Sequence, residues 1–134
     1  MKKKVLFLCT ENSCRSQMAE GILRHLKGDK FEVESAGTRP SIVNPIAIKV
    51  MAEIAIDISG HRSKSVEEFQ GMCFDFVITT CDAARETCPV FPGEARHLHW
   101  SFNDPAAVRG SDEDILSAFR KVRDEIKQRI QEEF

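Results

Sequence analysis

The chain has 134 residues, of which 42% are hydrophobic and 30% are charged, and its formal net charge is −2. This length suits a single domain with its own hydrophobic core, and the composition excludes the disordered and fibrous classes of protein. The nearly neutral charge excludes an extended polyanion-binding surface, so we expect no nucleic-acid partner and only local anion binding.

The amino terminus resembles the start of a signal peptide but is too short to be one. Lys2 to Lys4 precede only four apolar residues, 5–8, and the residues after Cys9 are polar. No segment reaches the length needed to cross a bilayer, so we expect a cytoplasmic protein with no membrane partner. Its five cysteines are odd in number, which predicts thiol chemistry or metal binding rather than a disulfide framework.

The first half of the chain alternates predicted strands and helices. Residues 5–8 form an apolar run that is typical of a strand buried on both faces. Apolar residues then recur at helical spacing from Ser16 until Gly28, which is a stop signal. Residues 31–37 alternate like a second strand, and residues 46–56 are predicted to form a second helix.

The second half continues this alternation. A short helical turn is predicted at 66–69, followed by strands at 74–80 and 95–102, and Ser111 begins a capping box and a long closing helix. This order predicts an α/β three-layer sandwich around a four-stranded parallel sheet, in which ligands bind at the carboxyl ends of the strands. Three unusual stretches are predicted to lie at that edge: residues 9–16, 81–88 and 103–105.

Cys9 and Arg15 enclose five residues between the first strand and the first helix, within residues 9–16, here called the oxyanion loop. Backbone N–H groups and a helix N-terminus are expected to surround a tetrahedral oxyanion that Arg15 clamps. The same field is expected to lower the pKa of Cys9 and make it a nucleophile. The alternative is a buried cysteine that ends a strand and an exposed arginine. The predicted oxyanion-binding residues are Thr10, Glu11, Asn12, Ser13, Cys14, Arg15 and Ser16.

Other side chains in and near the loop are predicted to have supporting roles. Asn12 tolerates left-handed backbone geometry and is expected to hold the shape of the loop through its amide, and Ser16 is expected to donate a hydrogen bond to the Cys9 thiolate.

Cys14 and Cys73 are interpreted as packing residues. His97 and His99 are interpreted as structural or solvated, because two imidazoles do not complete a metal site.

The segment Cys9 to Gly21, CTENSCRSQMAEG, closely resembles the low-molecular-weight protein tyrosine phosphatase superfamily, and more closely its thioredoxin-coupled arsenate reductase branch. The resemblance extends through residues 35–37, 79–81 and 103–105, so it covers nearly the whole chain. It implies a low-molecular-weight phosphatase-like fold in which residues 1–134 form a single catalytic domain.

The resemblance also implies a role for Asp104. In the superfamily an aspartate in an Asp-Pro loop is the general acid, and Asp104 occupies that place. The residues alone favour an ordinary Asp-Pro turn instead.

A second cysteine pair distinguishes the reductase branch from the phosphatases. Cys81 and Cys88 enclose six residues, as in the reductases, and the tyrosine that commonly follows Asp-Pro in the phosphatases is absent because the chain has no Tyr. The resemblance implies that Cys9 attacks arsenate, that Cys81 and then Cys88 resolve the intermediate, and that thioredoxin reduces the final disulfide. The implied catalytic residues are Cys9, Arg15, Cys81, Cys88 and Asp104.

Helix geometry places a condition on the second cysteine pair. If residues 81–88 were helical, the two Cα atoms would lie about 10 Å apart, beyond the roughly 7 Å limit for a disulfide. A disulfide between Cys81 and Cys88 therefore requires this segment to unwind, which predicts a redox-switched segment. The alternatives are two inert thiols or half of a zinc site.

The resemblance implies arsenate as substrate, phosphate or sulfate as competing oxyanions, thioredoxin as electron donor, a monomeric chain, and no tightly bound cofactor or metal.

In some reductases a monovalent cation binds side chains resembling Asn12, Glu20 and Ser35. Lys64 stands at the fourth, carboxylate position, so its ammonium is expected to replace the cation and pair with Glu20, the alternative being a solvated lysine.

The function, the physiological reductant and the oligomeric state stay open at this point. One alternative function is a low-molecular-weight protein tyrosine phosphatase, and another is a phosphocysteine carrier module that passes a phosphoryl group between proteins. The physiological reductant is also open, because thioredoxin, a glutaredoxin or mycothiol can each reduce an exposed disulfide.

Overall fold

A computed structural model describes residues 2–81 and 93–134. Its four strands are all parallel and form one sheet with the order β2-β1-β3-β4. The predicted fold class, an α/β protein around a four-stranded parallel sheet, is confirmed. The strands are β1 Lys3–Cys9, β2 Phe31–Gly37, β3 Phe76–Thr79 and β4 Arg96–His99.

Three α-helices and two short 3₁₀ turns lie within the described ranges. No helix there is both long and apolar enough to span a membrane. The helices are α1 Arg15–Lys27, α2 Pro45–Ala52 and α3 Asp112–Glu133, and the 3₁₀ turns are Val66–Phe69 and Pro105–Ala107.

The central strand β1 is buried on both faces of the sheet. Val5 and Phe7 join the larger core formed with α1, α2 and α3, whereas Leu6 and Leu8 join a smaller cluster on the other face. Burying each such side chain contributes about 1.5–3 kcal/mol to folding. A strand fixed on both sides holds its last residue firmly, and in β1 that residue is Cys9.

The second helix is shorter than predicted. The expected helix reached Ile56, but α2 ends at Ala52 and Ala55 adopts a left-handed φ of 62°. The Ile56 N–H donates to the Met51 carbonyl at 3.1 Å and the Ala55 N–H to the Ala52 carbonyl at 3.0 Å. This is the Schellman arrangement that ends many helices, and glycine is its usual left-handed residue. An alanine there gives no stop signal in the sequence.

Strands β3 and β4 lie where they were predicted but are also shorter. Before β3, Asp75 is tied to Lys4, because its N–H donates to the Lys4 carbonyl at 2.9 Å and its carboxylate accepts from the Lys4 N–H at 2.8 Å. After β4 the Trp100 N–H still donates to the Thr79 carbonyl at 2.8 Å. Hydrogen bonds between neighbouring strands therefore continue for one residue before the start of β3 and for one residue after the end of β4.

The long closing helix begins as predicted. The Ser111 hydroxyl accepts a hydrogen bond from the Asp114 N–H at 3.2 Å, and the Asp114 carboxylate accepts one from the Ser111 N–H at 3.1 Å. These two bonds complete a capping box, which satisfies N–H groups that the first turn of a helix leaves unpaired.

The single tryptophan lies between the sheet and α3. Trp100 is nearly fully buried, with its ring centroid 5.9 Å from that of Phe7 and 6.1 Å from that of Phe134. The guanidinium of Arg129 lies 5.5 Å from the Trp100 ring centroid, within the range of a cation–π contact. Trp100 therefore anchors the chain between β4 and the segment that carries Asp104.

Candidate active site

The oxyanion loop joins the end of β1 to the start of α1, and its backbone carbonyls point away from its centre. The Thr10, Glu11 and Ser13 carbonyls accept hydrogen bonds from backbone N–H groups of the 39–44 segment at 2.8, 3.2 and 2.9 Å. In a trans peptide the carbonyl and the following N–H point in opposite directions. The N–H groups that follow these carbonyls therefore face the centre of the loop, as an oxyanion requires.

Asn12 holds the loop in shape, as predicted. It is fully buried and has a left-handed φ of 52°. Its amide nitrogen donates to the Ser16 and Ser35 hydroxyls at 2.8 and 2.9 Å, and its amide oxygen accepts from the Lys64 N–H at 2.9 Å. These contacts connect the loop to α1, to β2 and to the segment before the first 3₁₀ turn.

Gln17 is a supporting residue that the sequence analysis missed. Its buried amide nitrogen donates to the Asn12 side-chain oxygen and to the Arg62 carbonyl, each at 2.9 Å. Its amide oxygen lies 2.9 Å from Nδ1 of His61. The sequence offered no clear signal for this role, because Gln17 lies beside the apolar stripe of α1 that Met18 and Ile22 belong to. Gln17 therefore fixes Asn12 from behind the loop.

Arg15 is positioned to bind an anion. One terminal nitrogen donates to the Phe102 carbonyl at 3.0 Å, and the other lies 3.8 Å from a carboxylate oxygen of Asp104. Its Nε is buried and has no hydrogen-bond partner within the described residues. Leaving a buried donor unpaired has a cost of about 1–3 kcal/mol. An oxyanion in the loop would remove that cost by accepting this hydrogen bond.

Asp104 lies at the mouth of the oxyanion loop. Its Oδ1 accepts from the Ala106 N–H at 3.0 Å, which caps the second 3₁₀ turn, and lies 4.0 Å from the Cys14 sulfur. The side chain is 43% exposed, so water reaches it. The structure therefore brings Asp104 to Arg15 and leaves its carboxyl group accessible for proton exchange.

Cys9 and Cys81 meet at the base of the loop. Both are buried, and the Cys81 sulfur lies 3.4 Å from the Thr10 hydroxyl. A hydrogen bond with Cys81, together with burial, raises the pKa of the Cys9 thiol above its ordinary value, and the opposing effect of Arg15 is smaller. The expectation of a lowered pKa for Cys9 is therefore wrong, because the hydrogen bond with Cys81 and burial outweigh the attraction of Arg15.

The other cysteines differ in their surroundings. Cys14 is buried, as expected of a packing residue, and burial together with Asp104 raises its pKa to about 11. Cys73 is exposed, so its interpretation as a packing residue is wrong. Cys88 lies outside the described residues, and the redox switch predicted for residues 81–88 stays a prediction.

Behind the loop, Lys64 pairs with Glu20 as expected. The Lys64 ammonium is 3.2 Å from Glu20 Oε1 and 3.0 Å from Glu34 Oε2, and the residue is only 8% exposed. Burial alone would raise the pKa of Glu20, but the hydrogen bond from Ser35 and the neighbouring cations hold that pKa below its ordinary value. The alternative of a solvated surface lysine is therefore wrong.

A parallel sheet that ends in a Cys-x5-Arg loop, with a carboxylate beside the arginine, defines the class of proteins that attack oxyanions with a cysteine thiol. Residues 4–133 match the family described as low molecular weight phosphotyrosine protein phosphatase. The chain belongs to this family.

Similar proteins in this family include arsenate reductases. The arsenate reductase of Halalkalibacterium halodurans is 47% identical over 129 residues, which is 96% of this chain and 93% of that protein. A solved arsenate reductase in the oxidized state has a TM-score of 0.83 at 37% identity, covering 97% of this chain and 95% of its own. A thioredoxin-dependent arsenate reductase of Corynebacterium glutamicum has a TM-score of 0.66 at 28% identity, covering 99% of this chain and 64% of its own.

Proposed function

We propose that this chain, acting as one catalytic domain over residues 1–134, is an arsenate reductase that uses Cys9, Cys81 and Cys88 in sequence. The observation that carries the proposal is the place of Cys81 beside the oxyanion loop, where its sulfur lies 3.4 Å from the hydroxyl of Thr10, the residue after Cys9, and where its hydrogen bond raises the pKa of Cys9. A phosphatase of this fold requires only the first thiol. A second thiol within reach of the first supplies the two electrons that the reduction of arsenate needs.

The first step is attack of the Cys9 thiolate on arsenic. Inward-facing N–H groups and Arg15 hold the arsenate oxygens, and Asp104 gives a proton to the departing hydroxide, which leaves as water. A sulfur–arsenic bond forms, one arsenic–oxygen bond breaks, and arsenic stays pentavalent. Arsenate has to displace the Cys81 thiol from Cys9, which removes the main cause of the raised pKa of Cys9.

The second step transfers electrons to arsenic. The Cys81 thiolate attacks the Cys9 sulfur, the sulfur–arsenic bond breaks, and its electron pair stays on arsenic, which leaves as arsenite. A Cys9–Cys81 disulfide forms, so the two sulfurs together lose the two electrons that arsenic gains. The Thr10 hydroxyl, 3.4 Å from the Cys81 sulfur, is placed to stabilise the Cys81 thiolate by a hydrogen bond.

The third step restores the nucleophile. Cys88 attacks Cys81 and a Cys81–Cys88 disulfide forms, which frees Cys9 as a thiolate. Thioredoxin then supplies two electrons to this disulfide by thiol–disulfide exchange, and no tightly bound cofactor or metal takes part. A glutaredoxin or mycothiol is the alternative donor, and a coupled assay with each reductant distinguishes them.

Single cysteine-to-serine variants test the relay. With arsenate and thioredoxin, Cys9→Ser, Cys81→Ser and Cys88→Ser should each lose at least about 99% of turnover, because each removes one covalent step. Cys73→Ser is the matched control and should keep wild-type turnover, since Cys73 is exposed and has no part in the relay. Multiple turnover by Cys88→Ser would contradict the three-thiol mechanism.

Mass spectrometry separates the proposal from its alternatives. After arsenate exposure, the reductase should lose about 2 Da through a disulfide that maps to Cys81 and Cys88. A low-molecular-weight phosphatase should instead hydrolyse an aryl phosphate with Cys81→Ser as fast as with the wild type. A phosphocysteine carrier should gain a stable phosphoryl group from a donor protein.

The buried ammonium of Lys64 predicts that turnover does not respond to potassium. A cation site would have to form where Lys64 contacts Glu20, and the ammonium already supplies the positive charge there. Rates in potassium buffer and in a buffer with a large organic cation, at equal ionic strength, should agree within about 20%. Activation by potassium of twofold or more would contradict this role of Lys64.

A further inference from the structure

The oxyanion loop carries an acidic side chain at its second position after Cys9. Glu11 is exposed, and its backbone is fixed from outside, because its carbonyl accepts from the Ser63 hydroxyl at 2.8 Å and from the Ser41 N–H at 3.2 Å. Its carboxylate is close enough to the loop interior to contribute to the raised pKa of Cys14. The negative charge of Glu11 therefore acts at the mouth of an anion-binding loop.

The charges around the mouth do not favour a doubly charged ligand. Arg15 is the loop's own cation, and Asp104 already lies 3.8 Å from it. Arg39 lies on the segment that packs against the loop, but it makes no ion pair with Glu11 within the described residues. The described residues of the loop, together with Asp104, thus carry two carboxylates and one guanidinium, and one of those carboxylates lies beside the guanidinium.

We propose that the Glu11 carboxylate selects oxyanions by charge, favouring monoanions over dianions. Repulsion between Glu11 and a bound anion grows in proportion to the ligand charge, so its energy for a dianion is twice that for a monoanion in the same place. Attraction to Arg15 and to the loop N–H groups also grows with ligand charge, so Glu11 reduces the preference for a dianion that those groups create. Glu11 is therefore a specificity-determining residue of the oxyanion loop.

This selection separates sulfate from arsenate and phosphate. Sulfate is a dianion throughout the neutral pH range, whereas arsenate and phosphate take up a proton near neutral pH and are largely monoanions below it. Glu11 therefore weakens competition by sulfate more than it weakens binding of the substrate. The identification of arsenate as that substrate rests on the proposed function, but the charge selection itself is a property of anion binding.

Calorimetric titration of the reduced full-length chain with sulfate and with phosphate, at about pH 6 and low ionic strength, tests the proposal. Glu11→Gln should strengthen phosphate binding about twofold and sulfate binding about fourfold. Removing the charge of Glu11 removes twice as much repulsion energy for the dianion as for the monoanion, so the gain in the binding constant is squared. Glu11→Asp should keep the wild-type ratio of the two affinities. At about 0.5 M salt the effect of Glu11→Gln should nearly vanish.

Glu32→Gln is the matched control, because Glu32 is also exposed but lies near the amino end of β2, away from the loop. It should change neither affinity. Equal gains for both anions with Glu11→Gln, or no gain for either, would overturn charge selection. Binding does not need turnover, so a chain that shows the expected affinities but reduces no arsenate would contradict only the proposed function.

Discussion

Replacing Cys81 by alanine is expected to make Cys9 react with iodoacetamide more than tenfold faster at about pH 7. In the wild type, the hydrogen bond with Cys81 and burial keep Cys9 protonated by raising its pKa, and Arg15 opposes them. Alanine removes the largest of these causes and leaves Arg15 in place. The pKa of Cys9 should fall, and the thiolate fraction at any pH below it should rise tenfold for each unit of the fall.

The measurement is the pH dependence of Cys9 alkylation, with the modified residue assigned by mass spectrometry. The midpoint of the profile should move to lower pH, which separates a change in ionisation from a mere gain in accessibility. Cys73→Ala is the control and should leave the midpoint in place, since Cys73 lies on the surface. If Cys81→Ala raised the rate equally at every pH, the thiol contact would not set the pKa of Cys9.

Replacing Gly37 by alanine is expected to disrupt the oxyanion loop. Gly37 ends β2 directly under the loop, and a Cβ there would lie 2.6 Å from the Thr10 carbonyl oxygen and 2.8 Å from the Asn12 nitrogen. Both are backbone atoms, which cannot move aside without changing the direction of the loop N–H groups. Unfolding free energy should fall by about 1–3 kcal/mol, and phosphate affinity should fall at least about tenfold.

Gly60→Ala is the matched control, because a Cβ at Gly60 meets nothing within 4 Å. It should leave phosphate affinity and the denaturation midpoint close to those of the wild type. Calorimetric titration with phosphate and equilibrium unfolding in urea measure both quantities. Wild-type phosphate affinity in a folded Gly37→Ala variant would show that the loop tolerates displacement.

Features set by local chemistry could be predicted from the sequence. The Cys9-to-Arg15 spacing predicted a loop between a strand and a helix, which the structure has, and Asn12 signals a left-handed residue by its side chain alone. Ser111 and Asp114 likewise form their capping box from four consecutive residues. Each of these features depends on neighbours along the chain.

Features that depend on distant residues could not be predicted in this way. The raised pKa of Cys9 comes from Cys81, which follows a different strand. Gln17 has its role because residues 61–62 pack against α1, and no periodicity in the sequence announces that contact. The end of α2 was missed for another reason, since Ala55 adopts a conformation that alanine rarely takes.

The buried tryptophan gives this protein an intrinsic optical reporter. Because the chain contains one Trp and no Tyr, its near-ultraviolet emission arises almost entirely from the Trp100 ring. Two residues further along, the Phe102 carbonyl accepts the hydrogen bond that orients Arg15. A shift of this short segment when an anion enters the loop would also move the indole relative to the Arg129 guanidinium, and fluorescence would record binding without any added label.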